Sequence, residues 1–284
     1  MISERINLYE YFNLEKPENA RGDLAILNPG RYSEYGINRK RPATLILPGG
    51  SYEYTSEREA EPVAFKFLAE GYVSFILYYS VAPAKFPQAF KETAMAIVYI
   101  RENAEKLGIL PDKVMSIGFS AGGHLCGCLA TLTDNAVLDF LGEKKPLAKP
   151  DACALMYPVI TAGIKSHGGS IMKISGGDKE LMELLSLEKR VTKDSVPAYI
   201  FATVKDEMVS VKNALLMACA YEEKGVPFTL HILEKGGHGL SVNDITSDTP
   251  ENLELRRPTS PANYNDWIGQ LFTWLNERGF IAKT

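Results

Sequence analysis

The stretch that decides the fold reads Lys113-Val114-Met115-Ser116-Ile117-Gly118-Phe119-Ser120-Ala121-Gly122. Its first half is an apolar, β-favouring run, which is typical of a buried strand. Gly118 and Gly122 permit a tight turn around Ser120, and the segment after the turn predicts a helix. A serine on such a strand–turn–helix junction is held in a strained conformation with its hydroxyl exposed above a sheet. The stretch therefore predicts a sheet that presents Ser120 as a nucleophile.

Strand-like and helix-like segments alternate along the rest of the chain. The predicted strands are Ala43–Leu47, Tyr72–Leu77, Val114–Phe119, Ala152–Tyr157, Ala198–Ala202 and Phe228–Leu233. The predicted helices are Glu59–Glu70, Phe86–Leu107, Ala121–Leu132, Val209–Lys224 and Asn265–Glu277. Strands that alternate with helices form parallel sheets covered on both faces. We therefore expect an α/β fold with a mostly parallel central sheet, and Ile6–Phe12 and Leu24–Leu27 as antiparallel edge strands.

The chain contains no internal repeat and no low-complexity linker, so residues 1–284 are expected to form a single domain. Two stretches look like insertions into it. Residues 158–196 are rich in glycine, with one short helical piece at Lys179–Leu187, and residues 241–263 are polar with three prolines. Long loops inside a domain often act as lids or binding loops. Both stretches are therefore interpreted as lid or pocket insertions.

Composition narrows the class of protein. Hydrophobic residues make up 45% and charged residues 23%, and the net charge of -4 is spread along the chain, which predicts no nucleic-acid partner. No signal-like segment begins the sequence and no run approaches about 18 apolar residues, so we expect no membrane partner and a cytoplasmic location. The sequence is compatible with a homo-oligomer. All four cysteines lie in apolar segments without metal-ligand spacing, which predicts buried, reduced thiols and no metal site: Cys126, Cys128, Cys153 and Cys219.

A reactive serine needs a base to take its proton. His238 lies in Lys235-Gly236-Gly237-His238-Gly239, a glycine-rich loop directly after the last predicted strand. Ligands of open α/β sheets bind at the carboxyl ends of the strands, so we predict His238 as the base. His124 follows Ser120 within its helix and His231 lies within a strand. Both are interpreted as structural.

The base needs an acid that fixes its tautomer. Asp206 follows the predicted strand Ala198–Ala202 and its short extension, which also places it at a carboxyl end. The alternative for Asp206 is a helix N-cap. Glu207 is the fallback, and the loop residues Asp178 and Asp194 are rivals without the strand-then-turn context.

An oxyanion hole needs backbone N–H groups that face a developing negative charge. One is predicted at Ala121, directly after the serine. The others are predicted at Gly50 and Ser51, in the loop Pro48-Gly49-Gly50-Ser51-Tyr52 that follows a strand. The segment His167-Gly168-Gly169-Ser170 has a similar composition, but it follows no clear strand and is not favoured for this role.

With these residues in hand, the chain resembles the α/β-hydrolase superfamily, whose chain order is serine, acid, histidine. More narrowly, it resembles small bacterial carboxylesterases related to acetyl esterases and acetyl-xylan esterases, with hormone-sensitive-lipase-like and dienelactone-hydrolase-like relatives. Three segments carry the resemblance. Pro48–Tyr52 is similar to the PGGGY form of the family's oxyanion loop, and Tyr79–Pro83 with Phe86–Ala89 resembles its YRLAP…FPAA segment. Val204–Val209 resembles the family's acid turn, DxxVP. Ser51 replaces a glycine of that pattern and Ser210 replaces its proline.

The resemblance implies a serine carboxylesterase that hydrolyses short-chain esters, acetyl esters above all, of a sugar or another small alcohol through an acyl-enzyme. It implies no cofactor and a small-molecule ester as the partner. Tyr52 and Tyr79 are predicted to contact substrate by stacking on a sugar ring, with packing in the core as the alternative. Two other functions stay open, a serine peptidase or arylformamidase on the same fold and a non-catalytic binding protein. The presence of all three triad residues disfavours the last.

Overall fold

One eight-stranded sheet organises the part of the chain that the structure describes. The computed structural model covers residues 2–30, 32, 34, 38–244, 246–247 and 267–283. The strands are β1 (Ile2–Asn7), β2 (Asp23–Asn28), β3 (Arg41–Leu47), β4 (Val73–Tyr78), β5 (Ile109–Phe119), β6 (Ala152–Met156), β7 (Ala198–Thr203) and β8 (Phe228–Leu233). The α-helices are α1 (Leu8–Tyr11), α2 (Glu61–Ala69), α3 (Gln88–Glu102), α4 (Ala104–Leu107), α5 (Ala121–Thr131), α6 (Gly168–Ser175), α7 (Lys179–Leu184), α8 (Lys212–Glu223) and α9 (Trp267–Glu277). The 3-10 segments are Glu57–Glu59, Ala136–Ala148 and Leu187–Lys189.

The sheet order is β1-β2-β4-β3-β5-β6-β7-β8. From β4 to β8 in this order, neighbouring strands run parallel, whereas β1 and β2 pair antiparallel at one side. The mostly parallel sheet predicted from the sequence is confirmed. Because parallel strands end at one edge of a sheet, the loops after β3, β5, β7 and β8 meet there.

Both faces of the sheet carry apolar layers. Along β3, Leu45 and Leu47 pack into a core formed with α3, α5 and α8, whereas Ile46 between them packs into a second core with α2 and α9. The alternation follows from the period of two along a strand, which sends neighbouring side chains to opposite faces. Burial on both faces explains why the middle strands read as continuous apolar runs.

Several predicted boundaries differ from the structure. The first edge strand spans Ile2–Asn7 instead of Ile6–Phe12, because the side chain of Asn7 accepts the N–H of Tyr9 at 3.1 Å and caps the helix α1 that begins at Leu8. The long helix predicted from Phe86 is two helices, α3 and α4, separated at Asn103.

The first predicted insertion is more helical than expected. The structure adds α6 to residues 158–196, where the glycines predicted a loop. The imidazole of His167 caps this helix by accepting the N–H of Ser170 at 3.3 Å, so the glycines stand in a capped first turn. Most of the second insertion, 241–263, and the start of the helix predicted at Asn265 lie outside the described residues.

Three of the cysteines are buried as predicted, and Cys219 is exposed. Cys219 lies in α8 on the same outward face as Leu215 and Leu216, which are also exposed, while Ala218 and Ala220 face the core. The prediction that Cys219 is buried was therefore wrong. It rested on the apolar residues around Cys219, but an amphipathic helix is exposed at every third or fourth position.

Candidate active site

Ser120 occupies the sharp turn between β5 and α5, called the elbow below (residues 118–122). Its φ of 54° and ψ of -115° lie in a region that residues with side chains rarely adopt. A Cβ at Gly118 would lie 2.1 Å from the carbonyl oxygen of Gly122, and a Cβ at Gly122 would lie 2.1 Å from that of Leu47. Only glycine fits at both positions, so the pattern around the serine is a packing requirement.

His238 joins Ser120 to Asp206. Its Nε2 atom lies 2.8 Å from Ser120 Oγ, and its Nδ1 atom lies 2.7 Å from Asp206 Oδ2. Because an ionised carboxylate only accepts hydrogen bonds, this network assigns the ring hydrogen to Nδ1 and leaves Nε2 to accept the serine proton. The side chains of Asp206 and His238 are 1% and 14% exposed, so water weakens these contacts little.

The second carboxylate oxygen of Asp206 holds the chain after β7. Its Oδ1 atom accepts the N–H groups of Met208 and Val209 at 2.9 and 2.8 Å. Asp206 is not the helix N-cap considered as its alternative, because α8 begins at Lys212 with Val211 as its N-cap. Its Oδ1 atom instead stabilises the turn before that helix, while Oδ2 contacts His238. The rival Asp178 accepts the N–H of Leu181 at 2.9 Å as the cap of α7.

The loop of residues 48–52 follows β3 at the same edge of the sheet and is called the oxyanion loop below. Gly50 and Ser51 have positive φ angles of 122° and 57°, and a Cβ at Gly50 would lie 2.1 Å from the carbonyl oxygen of Tyr54. Within the described residues, no protein acceptor takes the N–H of Gly50, Ser51 or Ala121. Unpaired N–H groups beside the elbow are what an oxyanion hole requires.

Tyr52 and Tyr79, predicted to contact substrate, instead anchor the oxyanion loop from inside. They are only 2% and 0% exposed. The Tyr52 hydroxyl lies 2.8 Å from His124 Nδ1, and the Tyr79 hydroxyl donates to the carbonyl oxygen of Pro48 at 2.5 Å. A ring buried on both faces cannot stack on a sugar, so the substrate prediction for this pair is corrected and the core alternative holds.

His124 is a neutral histidine beneath the oxyanion loop. Its Nε2 atom lies 2.9 Å from the carbonyl oxygen of Leu185, which can only accept. The ring hydrogen is therefore on Nε2, and Nδ1 accepts from Tyr52. Burial lowers the pKa of His124 from 6.5 to about 4, and the hydrogen bond to Leu185 opposes the shift. The structural role predicted for His124 agrees with these contacts.

We expect His124 to reduce the free energy of unfolding as the pH falls from about 6.5 to about 4. In this window the unfolded chain protonates the imidazole and the folded chain does not, which costs at most ~1.4 kcal/mol per pH unit. Above the window both states are neutral and the effect vanishes. Urea titrations at the two ends of the window measure it. His124→Gln should lose less stability than the wild type, and an equal loss would refute the linkage.

The first insertion lies beside the oxyanion loop and His238. Lys173 of α6 forms a 3.0 Å ion pair with Glu53, directly after the oxyanion loop. Burial lowers the pKa of His167, and its proximity to His238 lowers it further. His167 caps α6 and takes no part in the oxyanion loop, as expected. A lid role for residues 158–196 and 241–263 stays a prediction.

Glu59 and Tyr157 are two residues of the site that the sequence did not reveal. Glu59 is 4% exposed and accepts hydrogen bonds from the Gly49 N–H and the Tyr157 hydroxyl. In the sequence it stands in the charged run Arg58-Glu59-Ala60-Glu61, which is typical of a solvated helix end. Tyr157 directly follows β6 at the carboxyl edge of the sheet. That position is the sequence signal that could have identified it as a residue of the site.

Among the residues described by the structure, no group of three His, Cys, Asp or Glu side chains is arranged to hold a metal ion. No single helix among them is long and apolar enough to cross a membrane. One bent pair of helical segments, α5 and Ala136–Ala148, meets the requirements of a membrane span by length and composition only.

Comparison with known proteins shows which family this chain belongs to. A model of the BD-FAE family matches residues 32–220. The chain is 36% identical over 210 residues to endo-1,4-beta-xylanase B of Butyrivibrio fibrisolvens, covering 72% of this chain and 33% of that protein. It is 26% identical over 205 residues to an acetylxylan esterase of Xylanibacter ruminicola, covering 69% and 40%. The chain thus spans between a third and two fifths of the length of these curated relatives.

A solved structure matches over nearly the whole chain. The acetyl ester-xyloside bifunctional hydrolase from Caldicellulosiruptor lactoaceticus is 30% identical, covers 98% of this chain and 97% of its own, and superposes with a TM-score of 0.78. Its similarity extends beyond the residues matched by the family model to the loop that carries His238. The chain belongs to the BD-FAE family and has the α/β-hydrolase fold.

Proposed function

We propose that this chain is a serine carboxylesterase that hydrolyses short-chain esters, acetyl esters above all, of a sugar or another small alcohol. The observation that carries the proposal is the unbroken hydrogen-bond chain from Ser120 Oγ through His238 to Asp206. The names of the relatives support the acyl group, since one is an acetylxylan esterase and another an acetyl ester-xyloside hydrolase. The chemistry requires no metal and no organic cofactor.

In the proposed acylation step, Ser120 Oγ attacks the ester carbonyl carbon and its proton passes to His238 Nε2. Asp206 stabilises the imidazolium that forms and keeps Nδ1–H in place. The N–H groups of Ala121 and of Gly50 or Ser51 hold the oxyanion, and each such donor typically contributes about 3 kcal/mol. His238 then donates the proton to the departing alkoxide oxygen, which leaves as the alcohol.

Deacylation reverses the roles of the same groups. A water molecule replaces the alcohol and gives a proton to His238 Nε2 as its oxygen attacks the acyl-enzyme carbonyl. The tetrahedral intermediate collapses, the carboxylic acid departs, and the proton returns to Ser120 Oγ. Acylation moves one proton from Ser120 to His238 and deacylation returns one from His238 to Ser120, so the 2.8 Å contact serves both halves of the reaction.

We expect kcat/KM to be highest for p-nitrophenyl acetate in a series of p-nitrophenyl esters from acetate to octanoate. A site fitted to an acetyl group loses ~1 kcal/mol or more for each methylene that it excludes. Initial rates across the series, beside an aryl formamide and an aminoacyl anilide, measure the preference. Faster cleavage of the formamide or the anilide would replace the esterase with the arylformamidase or peptidase alternative. No turnover of any compound would favour the non-catalytic alternative.

We further propose that the protein works in the cytoplasm. The free thiols of Cys126, Cys128 and Cys153 support a reducing compartment, where buried cysteines stay unpaired. We propose no nucleic-acid or membrane partner. Association into a homo-oligomer stays a prediction, which light scattering of the purified chain can check.

A further inference from the structure

Glu59 is a buried carboxylate beside the Ser120–His238–Asp206 chain but outside it. It ends the 3-10 segment Glu57–Glu59 and is 4% exposed. A carboxylate is almost never buried to this extent unless its neighbours compensate the lost hydration. The proposed mechanism does not use Glu59, so the reason for its burial lies in its contacts.

The contacts of Glu59 connect three loops at the carboxyl edge of the sheet. Its Oε2 atom accepts the N–H of Gly49 in the oxyanion loop at 2.8 Å, and its Oε1 atom accepts the hydroxyl hydrogen of Tyr157, after β6, at 2.7 Å. The Tyr157 oxygen in turn accepts the N–H of Ser241 at 2.9 Å, three residues after His238. One carboxylate thus holds the oxyanion loop and, through Tyr157, the loop that carries the base.

Glu59 also lies close to the reacting groups. A Cβ placed on Gly49 would lie 2.6 Å from Glu59 Oε2 and 3.1 Å from Ser120 Cβ, so one glycine backbone separates the carboxylate from the nucleophile. On the other side, the Tyr157 ring packs against the His238 ring edge to face, with centroids 5.1 Å apart. A charge on Glu59 therefore acts on His238 through a short, dry path.

The hydrogen bonds match the ionised form of Glu59. Burial raises the pKa of Glu59 above its usual value, and the hydrogen bonds from Tyr157 and Gly49 and the proximity of His238 offset only part of that rise. Gly49 offers only a donor, and Tyr157, which already accepts from Ser241, offers its own hydrogen. A protonated carboxyl would leave either its own hydrogen or that of Tyr157 without an acceptor within this network.

We propose that Glu59 is a positioning residue that supplies a second negative charge to His238 and holds the oxyanion loop against the elbow. The inference rests on the proposed function. When Ser120 loses its proton, the imidazolium forms between two carboxylates, Asp206 in direct contact and Glu59 behind Tyr157. Glu59 touches neither substrate nor the transferred proton, and it acts through its charge and by fixing where His238 and the Gly50 and Ser51 N–H groups lie.

Other groups that face His238 define the background for a test. Asp206 bonds to its Nδ1 atom, Tyr157 packs against its ring, and His167 lies within electrostatic range. Arg58 Nη1 lies 3.9 Å from the position of a Cβ on the neighbouring Gly239. Of these four groups only Asp206 is a carboxylate, so Glu59→Gln removes one of the two carboxylates near His238.

The test is an NMR titration of His238 in the full-length wild type and in Glu59→Gln. Without the second carboxylate, the titration midpoint of His238 should fall by about half a pH unit or more, because its protonated form loses a stabilising charge. With p-nitrophenyl acetate, kcat should fall about tenfold while KM changes less than about threefold. Glu92→Gln is the matched control, because Glu92 is another buried carboxylate, bonded to Ser80 and Tyr9.

An unchanged midpoint in Glu59→Gln would overturn the proposal, and so would an equal fall in Glu92→Gln. If Glu59→Gln fails to fold, carboxyl-carbon NMR of the wild type decides, because the proposal requires an ionised Glu59 at pH 7. A protonated Glu59 there would contradict it. Neither NMR readout needs ester turnover. A wild type that cleaves no ester therefore refutes the proposed function and leaves the link between Glu59 and His238 to be judged separately.

Discussion

Ser120→Ala is expected to lower kcat for p-nitrophenyl acetate by about 10⁵-fold or more, with KM nearly unchanged. The variant removes the oxygen that would form the acyl-enzyme and leaves His238 and Asp206 without a nucleophile to activate. The residual rate would come from the oxyanion hole and from substrate binding. Steady-state kinetics with enough enzyme to detect slow turnover measures the effect, and contamination by host esterases sets its lower limit.

Ser116→Ala is the control for this substitution. Ser116 is a buried serine four residues earlier in β5, and its hydroxyl contacts Cys126 Sγ at 3.1 Å, away from His238. It should keep kcat within a few-fold of the wild type. Circular dichroism should show both variants folded, because neither substitution adds an atom to the core. Equal activity of Ser120→Ala and the wild type would refute Ser120 as the nucleophile.

Gly122→Ala is expected to destabilise the protein by about 3 kcal/mol, at the upper end of the usual cost of overpacking, and to lower kcat/KM with it. The new Cβ would lie 2.1 Å from the carbonyl oxygen of Leu47 and 2.4 Å from that of Pro48. Both are backbone atoms at the junction of β3 and the oxyanion loop, so no side chain can rotate away. The elbow must move from the oxyanion loop, which separates the N–H of Ala121 from those of Gly50 and Ser51.

Gly168→Ala is the matched control for this glycine. Gly168 begins α6, has no atom within 4 Å of its added Cβ, and has no positive φ. Alanine favours a helix by up to ~1 kcal/mol over glycine, so this variant should be as stable as the wild type or slightly more stable. Urea unfolding of both variants measures the difference. A Gly122→Ala protein with the stability and kcat/KM of the wild type would contradict the packing described for the elbow.

The elbow and the sheet could be predicted because their signals are local. The spacing of Gly118 and Gly122 around Ser120 encodes a turn that tolerates no Cβ, and each strand is a continuous apolar run bounded by turn residues. The positions of Asp206 and His238 after two later strands follow from the rule that parallel strands end at one edge. The site could therefore be predicted from the order of the strands along the chain, because the sheet topology brings their carboxyl ends together.

What could not be predicted depends on contacts between distant segments. The burial of Tyr52 and Tyr79 depends on His124 and Pro48, which the sequence does not place beneath or behind them. The sequence predicts a solvated charge at Glu59, whereas in the structure Gly49 and Tyr157 donate hydrogen bonds to its buried carboxylate. Helix α6 was missed for a local reason, since two glycines at its start outweigh the histidine that caps it.

The central claim is that His238 and Asp206 activate Ser120, and fluorophosphonate labelling tests it most directly. The probe reacts with serines that have been made nucleophilic, and peptide mapping by mass spectrometry then locates the adduct. We predict a single adduct on Ser120 in the wild type, with labelling slowed by orders of magnitude in His238→Ala. A wild type that hydrolyses esters while Ser120 stays unlabelled, or equally rapid labelling of His238→Ala, would contradict the account.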